Sequence, residues 1–351
     1  MSRTTRASAL AALAVTAVTA VTAVTAGALV SACSSSPAGT AKDASDPASS
    51  VVVNFGDQQQ ELETLLNASG VLNGASYKVN FVEFDSGPLV DAGFAAHRID
   101  VGSMGDLPAS LAVKSGLPVV AVMASKPIGA SEYLLAEPGI TSIAQLRGRP
   151  VAYTTGTAEQ AFALRALKSA GLTQADVRQV NVSLEQLGTV LQSGAAVASV
   201  VSVEQKADYE LDHPGAKVLA SVTTVNPPSY GYLLATKAAL ASPAKLVAID
   251  DLTKRVIEAQ NWLKTHESEW VTDYYVNVEH QTPAVAKLIL AAGGTSTYVP
   301  ISSAVQSSLQ QMVDIMAAGG GLPAAFDVAP LFSQVQAARY NTTVAEVRQD
   351  G

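Results

Sequence analysis

From Val51 onward short apolar runs alternate with helical segments, and few folds accommodate that order. Val51–Phe55, Tyr77–Phe84, Ile99–Gly102 and Val119–Ala124 read as strands, and Glu61–Asn67, Pro88–His97 and Leu107–Ser115 as the helices between them. Pro88 suits a first helical turn, where an amide hydrogen has no intrahelical partner to lose. Gly70 and Gly116 stand just beyond helix ends. Strands alternating with helices predict a parallel sheet covered on both faces.

A second unit follows. Tyr133–Ala136 reads as a strand and Glu137-Pro138-Gly139 breaks the run. Then come a short helix Thr141–Leu146, strand Pro150–Tyr153, helix Ala158–Ala170, strand Val177–Val182, helix Leu184–Gln192 and strand Val197–Val203. Ser183 and Gln186 form a capping box at the start of Leu184–Gln192. After Asn226-Pro227-Pro228 the chain resumes as strand Tyr230–Ala235. It continues as helices over Pro243–Tyr275, interrupted near Lys264–Glu269, Pro283–Ala292 and Ala304–Ala318. The breaks near Glu137 and Pro228 bracket the smaller unit. The expected architecture is therefore α/β, a two-lobed clamp in which each lobe is an α/β sandwich and two crossover segments form the hinge. Residues 51–137 and 229–351 make the first lobe, and residues 138–228 the second.

The N-terminal region has another character. Arg3 and Arg6 precede an uncharged run from Ala7 to Val30, built mostly of Ala, Val and Thr, which is the plan of a signal peptide. The competing reading is an uncleaved membrane helix, since a run of this length reaches the ~20 residues a bilayer requires. Small residues before the cysteine in Val30-Ser31-Ala32-Cys33, and the threonines of the Val-Thr-Ala repeats, favour the signal. That ending resembles a lipobox, which implies cleavage after residue 32 and lipid on Cys33. Residues 1–32 are then a lipoprotein signal peptide. Residues 33–50, rich in Ser, Ala, Pro, Asp and Gly, are a flexible tether. Cys33 is the sole cysteine, so no internal disulfide is available and about 300 residues must be held by core burial.

Removing Arg3 and Arg6 changes the balance from 22 cations against 30 carboxylates to 20 against 30, near −10. That makes nucleic acid an unexpected partner. The four histidines, His97, His213, His266 and His280, have no metal-ligand spacing, and neither metal nor cofactor is expected. No nucleophile elbow is present, and Cys33 is committed to lipid, so the chain does not read as an enzyme. Gly319-Gly320-Gly321 follows a helix rather than a strand and reads as a turn.

Val82-Glu83-Phe84-Asp85-Ser86-Gly87-Pro88, followed by Ile99-Asp100-Val101-Gly102-Ser103-Met104-Gly105-Asp106-Leu107-Pro108, resembles the aliphatic-sulfonate and taurine family of periplasmic binding proteins. Leu146-Arg147-Gly148, Val151 to Thr157, Leu164-Arg165-Ala166-Leu167 and Ala170-Gly171-Leu172 match that family's second lobe in the same order. The similarity covers residues 51 to 194, and Gly321-Leu322-Pro323 and Phe326-Asp327-Val328 are similar to its C-terminal end. It implies a type II periplasmic-binding-protein clamp. The corresponding function is an extracytoplasmic, monomeric, lipid-anchored substrate-binding subunit of an ABC importer, partnered by a permease and its ATPase and capturing a small organic anion such as an aliphatic sulfonate or a taurine-like compound. The alternatives are an enzyme of pyrimidine or chorismate-derived metabolism on the same fold, or a surface sensor lipoprotein.

Thr155, Gly156 and Thr157 stand where a strand passes into a helix, so amide hydrogens and hydroxyls there suit an anion; Thr155 or Thr157 acting only as a helix cap is the competing reading. Ser103 and Gly105 form a similar turn in the first lobe, with Asp106 reading as a cap. Ser86 and Gly87 form a third. Three features depart from the family. Val201-Ser202-Val203-Glu204 replaces its usual aromatic and acidic turn, leaving Ser202 and Glu204 as contacts, with Glu204 either a helix cap or a carboxylate for a ligand amine. The loop Gly56 to Gln60 differs, placing Gln58 near the ligand's tail. His97-Arg98 replaces a glycine, which histidine tolerates at a left-handed helix end. Tyr230 is the candidate substitute for the missing aromatic wall, with a core or hinge role as the alternative. Trp262, Trp270, Tyr274 and Tyr275 read as helix packing.

Overall fold

The computed structural model describes residues 51–292 and 296–348. The signal at 1–32, the tether at 33–50 and Cys33 lie outside the described residues. The first lobe opens with β1 (Val52–Gln58), α1 (Glu61–Ala68), β2 (Lys78–Phe84), α2 (Gly87–Ala95), β3 (Val101–Gly105), α3 (Asp106–Lys114) and β4 (Val119–Pro127). The chain crosses at residues 128–131 into β5 (Glu132–Ala136), β6 (Pro150–Ala152), α4 (Ala158–Ser169), β7 (Arg178–Val180), α5 (Leu187–Gln192), β8 (Ala198–Ser202), α6 (Val203–Asp212) and β9 (Lys217–Ser221). It returns through residues 222–230 to β10 (Gly231–Thr236), α7 (Lys237–Ala241), α8 (Pro243–Leu263) and α9 (Glu267–Trp270). A π-helical turn at Val271–Val276 leads to α10 (Pro283–Ala292), β11 (Ser296–Tyr298), α11 (Ser303–Ala318) and α12 (Gln334–Arg348).

The strands form a six-stranded sheet in the order β11-β4-β10-β3-β1-β2 and a five-stranded sheet in the order β7-β6-β8-β5-β9. β1, β2 and β3 are parallel, as the alternation of strands and helices predicts. β10 enters antiparallel between β3 and β4, so the first sheet is mixed rather than wholly parallel. Its direction is set by the return crossover and not by a helical βαβ connection. A second correction concerns Tyr133–Ala136, which the sequence assigns to the first lobe. As β5 it pairs antiparallel with β8 and β9, so the outgoing crossover precedes residue 132 instead of following 137. Its alternating side chains explain the placement. Leu134 joins the main core with Val200, whereas Leu135 points to the opposite face with Leu191, Val201 and Tyr209.

Elements with weak apolar patterning escape the sequence reading. In α6 only Val203, Ala207 and Tyr209 are buried, and edge strand β9 begins with two exposed residues. His97 adopts φ 55° just beyond α2, the left-handed end for which histidine is suited.

Helix α4 is buried continuously from Gln160 to Leu167, because it lies between the second sheet and helices α3 and α11 of the first lobe. A helix buried on all sides must satisfy every polar group it carries. Arg165 meets this in part across the lobes: Nη2 donates to the carboxylate of Asp106 on α3 and Nη1 donates to Ser229 Oγ at 2.6 Å on the return crossover, while Nε is buried without a hydrogen-bond partner. The side chains of this ion pair are only 1% and 3% exposed. On the other flank α10 packs against α6, so the lobes meet on both sides of a central cleft.

Arg165→Ala, which leaves Asp106 buried without its counter-charge, is expected to cost about 3–5 kcal/mol in urea unfolding at neutral pH. Arg147→Ala, at an ion pair whose arginine is 61% exposed, is expected to cost less than about 1 kcal/mol. Equal losses would contradict a structural role for the buried pair.

Candidate functional site

A cavity of 240 Å³ opens beside the carboxyl ends of β1, β3 and β4, where open α/β sheets place ligands. Gln58, Ser103 and Gly105, three of the predicted contacts, meet there. Gln58 Nε2 donates to the Ser103 carbonyl at 2.8 Å and holds the end of β1 against β3. Ser125, Tyr232, Gln260, Trp270 and Tyr298 add neutral polar groups, and Leu65, Met104, Met123 and Leu263 supply apolar surface. Tyr232 is 3% exposed and its hydroxyl has no hydrogen-bond partner. Glu61 is the carboxylate in this lining, and no lysine or arginine accompanies it.

A larger cavity of 550 Å³ lies between the lobes. Gln59, Tyr274, Glu279 and Gln281 reach it from the first lobe, and Glu132, Glu159, Glu185, Ser202, Glu204, Asp208 and Asp212 from the second. No lysine or arginine among the described residues lines it.

Part of this acidity begins at the helix starts. Asp57 accepts the Glu63 amide at 2.7 Å on the first turn of α1, and Asp106 accepts the Leu107 amide at 2.8 Å on α3. Glu159 stands in the first turn of α4 and Glu204 in the first turn of α6. The positive end of each helix is thus met by a carboxylate of the chain itself.

Burial pushes Glu132 and Glu159 up, with further increments from the Glu159 charge on Glu132 and from Asp106 on both. Glu204 is raised by burial and then by Glu279 and Asp208. Glu61 keeps solvent contact, yet desolvation by the surrounding walls and then the charges of Glu204 and Glu279 push it up to about 7. Glu132 Oε2 is buried with no hydrogen-bond partner.

The other predicted contacts have different surroundings. The Thr155 amide donates to Asn181 Oδ1, the Gly156 amide to Gln160 Oε1 and the Thr157 hydroxyl to the Thr154 carbonyl, all at 2.8 Å. The Thr155 and Gly156 amides and the Thr157 hydroxyl are therefore engaged within the lobe, and Thr155, Gly156 and Thr157 line neither of these two cavities. Gly156 takes φ 82° and sits against Pro88 of the opposite lobe. Ser86 stands at the N-cap of α2 without a side-chain cap bond, and Gly87 packs on Pro108; both lie outside the two cavities. Ser202 caps α6 by accepting the Gln205 amide at 3.2 Å, while Glu204 lines the larger cavity. Tyr230 packs against the core, and Tyr232, two residues on, lines the smaller cavity. Trp270 and Tyr274 stack at 4.7 Å, as helix packing predicts, but also line the smaller and larger cavities respectively. Glu132, Glu159 and Glu279 are missed by the sequence reading.

The model of the family described as NMT1/THI5 like matches residues 75–261. A protein of Escherichia coli (strain K12) named for binding aliphatic sulfonates is 25% identical over 253 residues, covering 72% of this chain and 78% of that protein. The alkanesulfonate-binding protein SsuA from Xanthomonas axonopodis pv. citri, bound to MOPS, superposes with a TM-score of 0.70 at 23% identity, covering 82% of this chain and 99% of that chain. The periplasmic aliphatic sulphonate binding protein SsuA from Escherichia coli gives a TM-score of 0.72 at 22% identity, covering 82% and 93%. The fold is that of periplasmic binding proteins, and these relatives are named for binding rather than turnover.

The raised carboxyls carry a consequence for stability. Asp57 and Asp91 are pushed up to about 7, and burial is the largest cause for each. A carboxyl raised above its unfolded value contributes stability that is full below the unfolded value and is lost as pH rises through the folded one. The melting temperature is expected to fall between about pH 4.5 and pH 7.5. A melting temperature that rises across this window would contradict these carboxyl environments.

Proposed function

Because this chain belongs to the NMT1/THI5-like family, whose model spans residues 75–261, we propose that it is the substrate-binding subunit of an ABC importer and that it captures a small organosulfonate. We also propose that lipid on Cys33 holds it at the outer face of the cell membrane, with residues 33–50 as the spacer. The observation that carries the substrate reading is the 240 Å³ chamber with its neutral donors. A sulfonate remains ionised and offers only acceptor oxygens, so hydroxyls and amides can hold it without a general base. The buried, unpartnered Tyr232 hydroxyl is a donor suited to such an oxygen.

Capture follows from the two-lobed plan. Residues 128–131 and 222–230 carry the chain between the sheets, and the cavity between the lobes is walled by both. A ligand touching both walls binds the closed form more tightly than the open form, and that difference drives closure. The closed form is what a permease would recognise. The names of the relatives support the sulfonate assignment, and the signal-like run before Cys33 supports export.

Thermal melting of the full-length protein against alkanesulfonates, taurine, sulfate, nitrate and pyrimidines tests this reading. A sulfonate at a hundredfold excess over its Kd should add about 2.7 kcal/mol. Tyr232→Phe should weaken that sulfonate's binding about tenfold by removing a donor to a charged oxygen. A transition shifted by a pyrimidine and by no sulfonate would overturn the substrate class.

A further inference from the structure

We propose that Gln260 is a specificity-determining residue of the 240 Å³ chamber and reads a neutral hydrogen-bonding group, a hydroxyl in the simplest case, at the end of the solute away from its sulfonate. The sulfonate end rests on the reading above. The far end stands on the chamber wall itself.

Helix α8 is buried along a stripe that includes Ile249, Leu252, Thr253, Val256, Gln260 and Leu263, the spacing of a core-facing helix. Two members of this stripe are polar. Thr253 is satisfied within the helix, since its hydroxyl donates to the Asp250 carbonyl at 2.7 Å. Gln260 is not: it is 8% exposed, and its amide forms no hydrogen bond among the described residues. Val256 and Leu263, on the turns before and after it, line the chamber with it, so this part of the stripe borders the chamber rather than solid core. A buried amide offers two hydrogens and an acceptor oxygen, and it costs free energy while they stay unpaired. Leucine at the same position would carry no such cost.

The sheet wall adds further neutral groups. Strand pairing sets Tyr298 of β11, Ser125 of β4 and Gly231 of β10 in one row, and all three line the chamber. The hydroxyls of Ser125 and Tyr298 also form no hydrogen bond among the described residues. A side-chain carbon at Gly231 would stand 2.6 Å from Ser125 Oγ, with no other atom beyond its chain neighbours within 4 Å. Glycine at this position therefore keeps the Ser125 hydroxyl open to the chamber. Gln58 and Ser103 belong to β1 and β3, and β10 alone separates β3 from β4. The two ends of the lining thus lie on strands two spacings apart, roughly 10 Å. A short carbon chain with a hydrogen bond at each end fills that distance, and Leu65, Met123 and Leu263 give its methylenes apolar surface. A plain alkyl tail would instead leave the Gln260 amide unpaired.

Calorimetry on the detergent-solubilised full-length protein tests the assignment. The probes are pairs in which a terminal hydroxyl replaces a methyl: isethionate against propanesulfonate, hydroxypropanesulfonate against butanesulfonate, and γ-hydroxybutyrate against pentanoate. The hydroxyl-bearing sulfonate should bind about tenfold more tightly than its alkyl partner. Gln260→Leu should remove or reverse that preference by tightening the alkyl compound, and should melt no lower than the wild type because an unpaired buried amide is lost. Ser125→Ala, a smaller change, should narrow the preference to less than about threefold. Glu61 also lines the chamber, so the substitution at Gln260 decides which group reads the hydroxyl. Sulfonates that bind without regard to the hydroxyl, or a preference that survives Gln260→Leu, overturn the Gln260 assignment and leave the sulfonate reading standing. A hydroxyl preference confined to the carboxylates and lost in Gln260→Leu, with no sulfonate bound, upholds the assignment and removes the sulfonate reading. Failure of every probe to bind overturns both.

Discussion

The guanidinium of Arg165 lies between the lobes and within the electrostatic reach of Glu132, yet it makes its hydrogen bonds to Asp106 and Ser229. Burying an ion pair is expensive unless both partners remain hydrogen-bonded, and here the pair joins α4 of one lobe to α3 and the return crossover of the other. Two results follow. The lobes approach so closely that a side-chain carbon added at Gly105 would stand 2.6 Å from Ala158 Cβ. With Arg165 committed, Glu132 and Glu159 line the larger cavity with no lysine or arginine among the described residues beside them.

Helix N-termini commonly hold anions through free amides and the helix dipole. Here Asp57 and Asp106 accept backbone amides at the starts of α1 and α3, and Glu159 and Glu204 stand in the first turns of α4 and α6. The same carboxylates that stabilise the helix starts thus contribute to the negative charge at the cleft. The chamber of Gln58, Ser103 and Tyr232 presents neutral polar side chains instead. One fold therefore presents two chemically different environments, a neutral chamber and an acidic cavity.

Much of the architecture was legible because strands such as Val119–Pro127 and helices such as Pro243–Leu263 carry strong local signals. The lobe boundary was less so, since Tyr133–Ala136 is a strand by composition but its partners β8 and β9 are distant in sequence. The turn Thr155-Gly156-Thr157 shows what a helix start does not reveal in sequence, namely which of its amides the lobe itself engages. Gln160 stands three residues after Thr157, the spacing of a capping residue, and its side chain takes the Gly156 amide. Ser202 and Gln205 repeat the spacing at α6, a helix whose sparse apolar pattern concealed it. Glu132 carried no local signal at all. Its significance depends on the sheet pairing that sets it beside Ser202 and on a helix start that brings Glu159 into the same wall.

The proposed function rests most on the chamber of Gln58, Ser103 and Tyr232 as the place where a sulfonate is held. Calorimetric titration of an alkanesulfonate into the wild-type protein and Tyr232→Phe tests it most directly: binding to the wild type, weakened about tenfold by the substitution, is the predicted result, and equal affinity for the two proteins would contradict it.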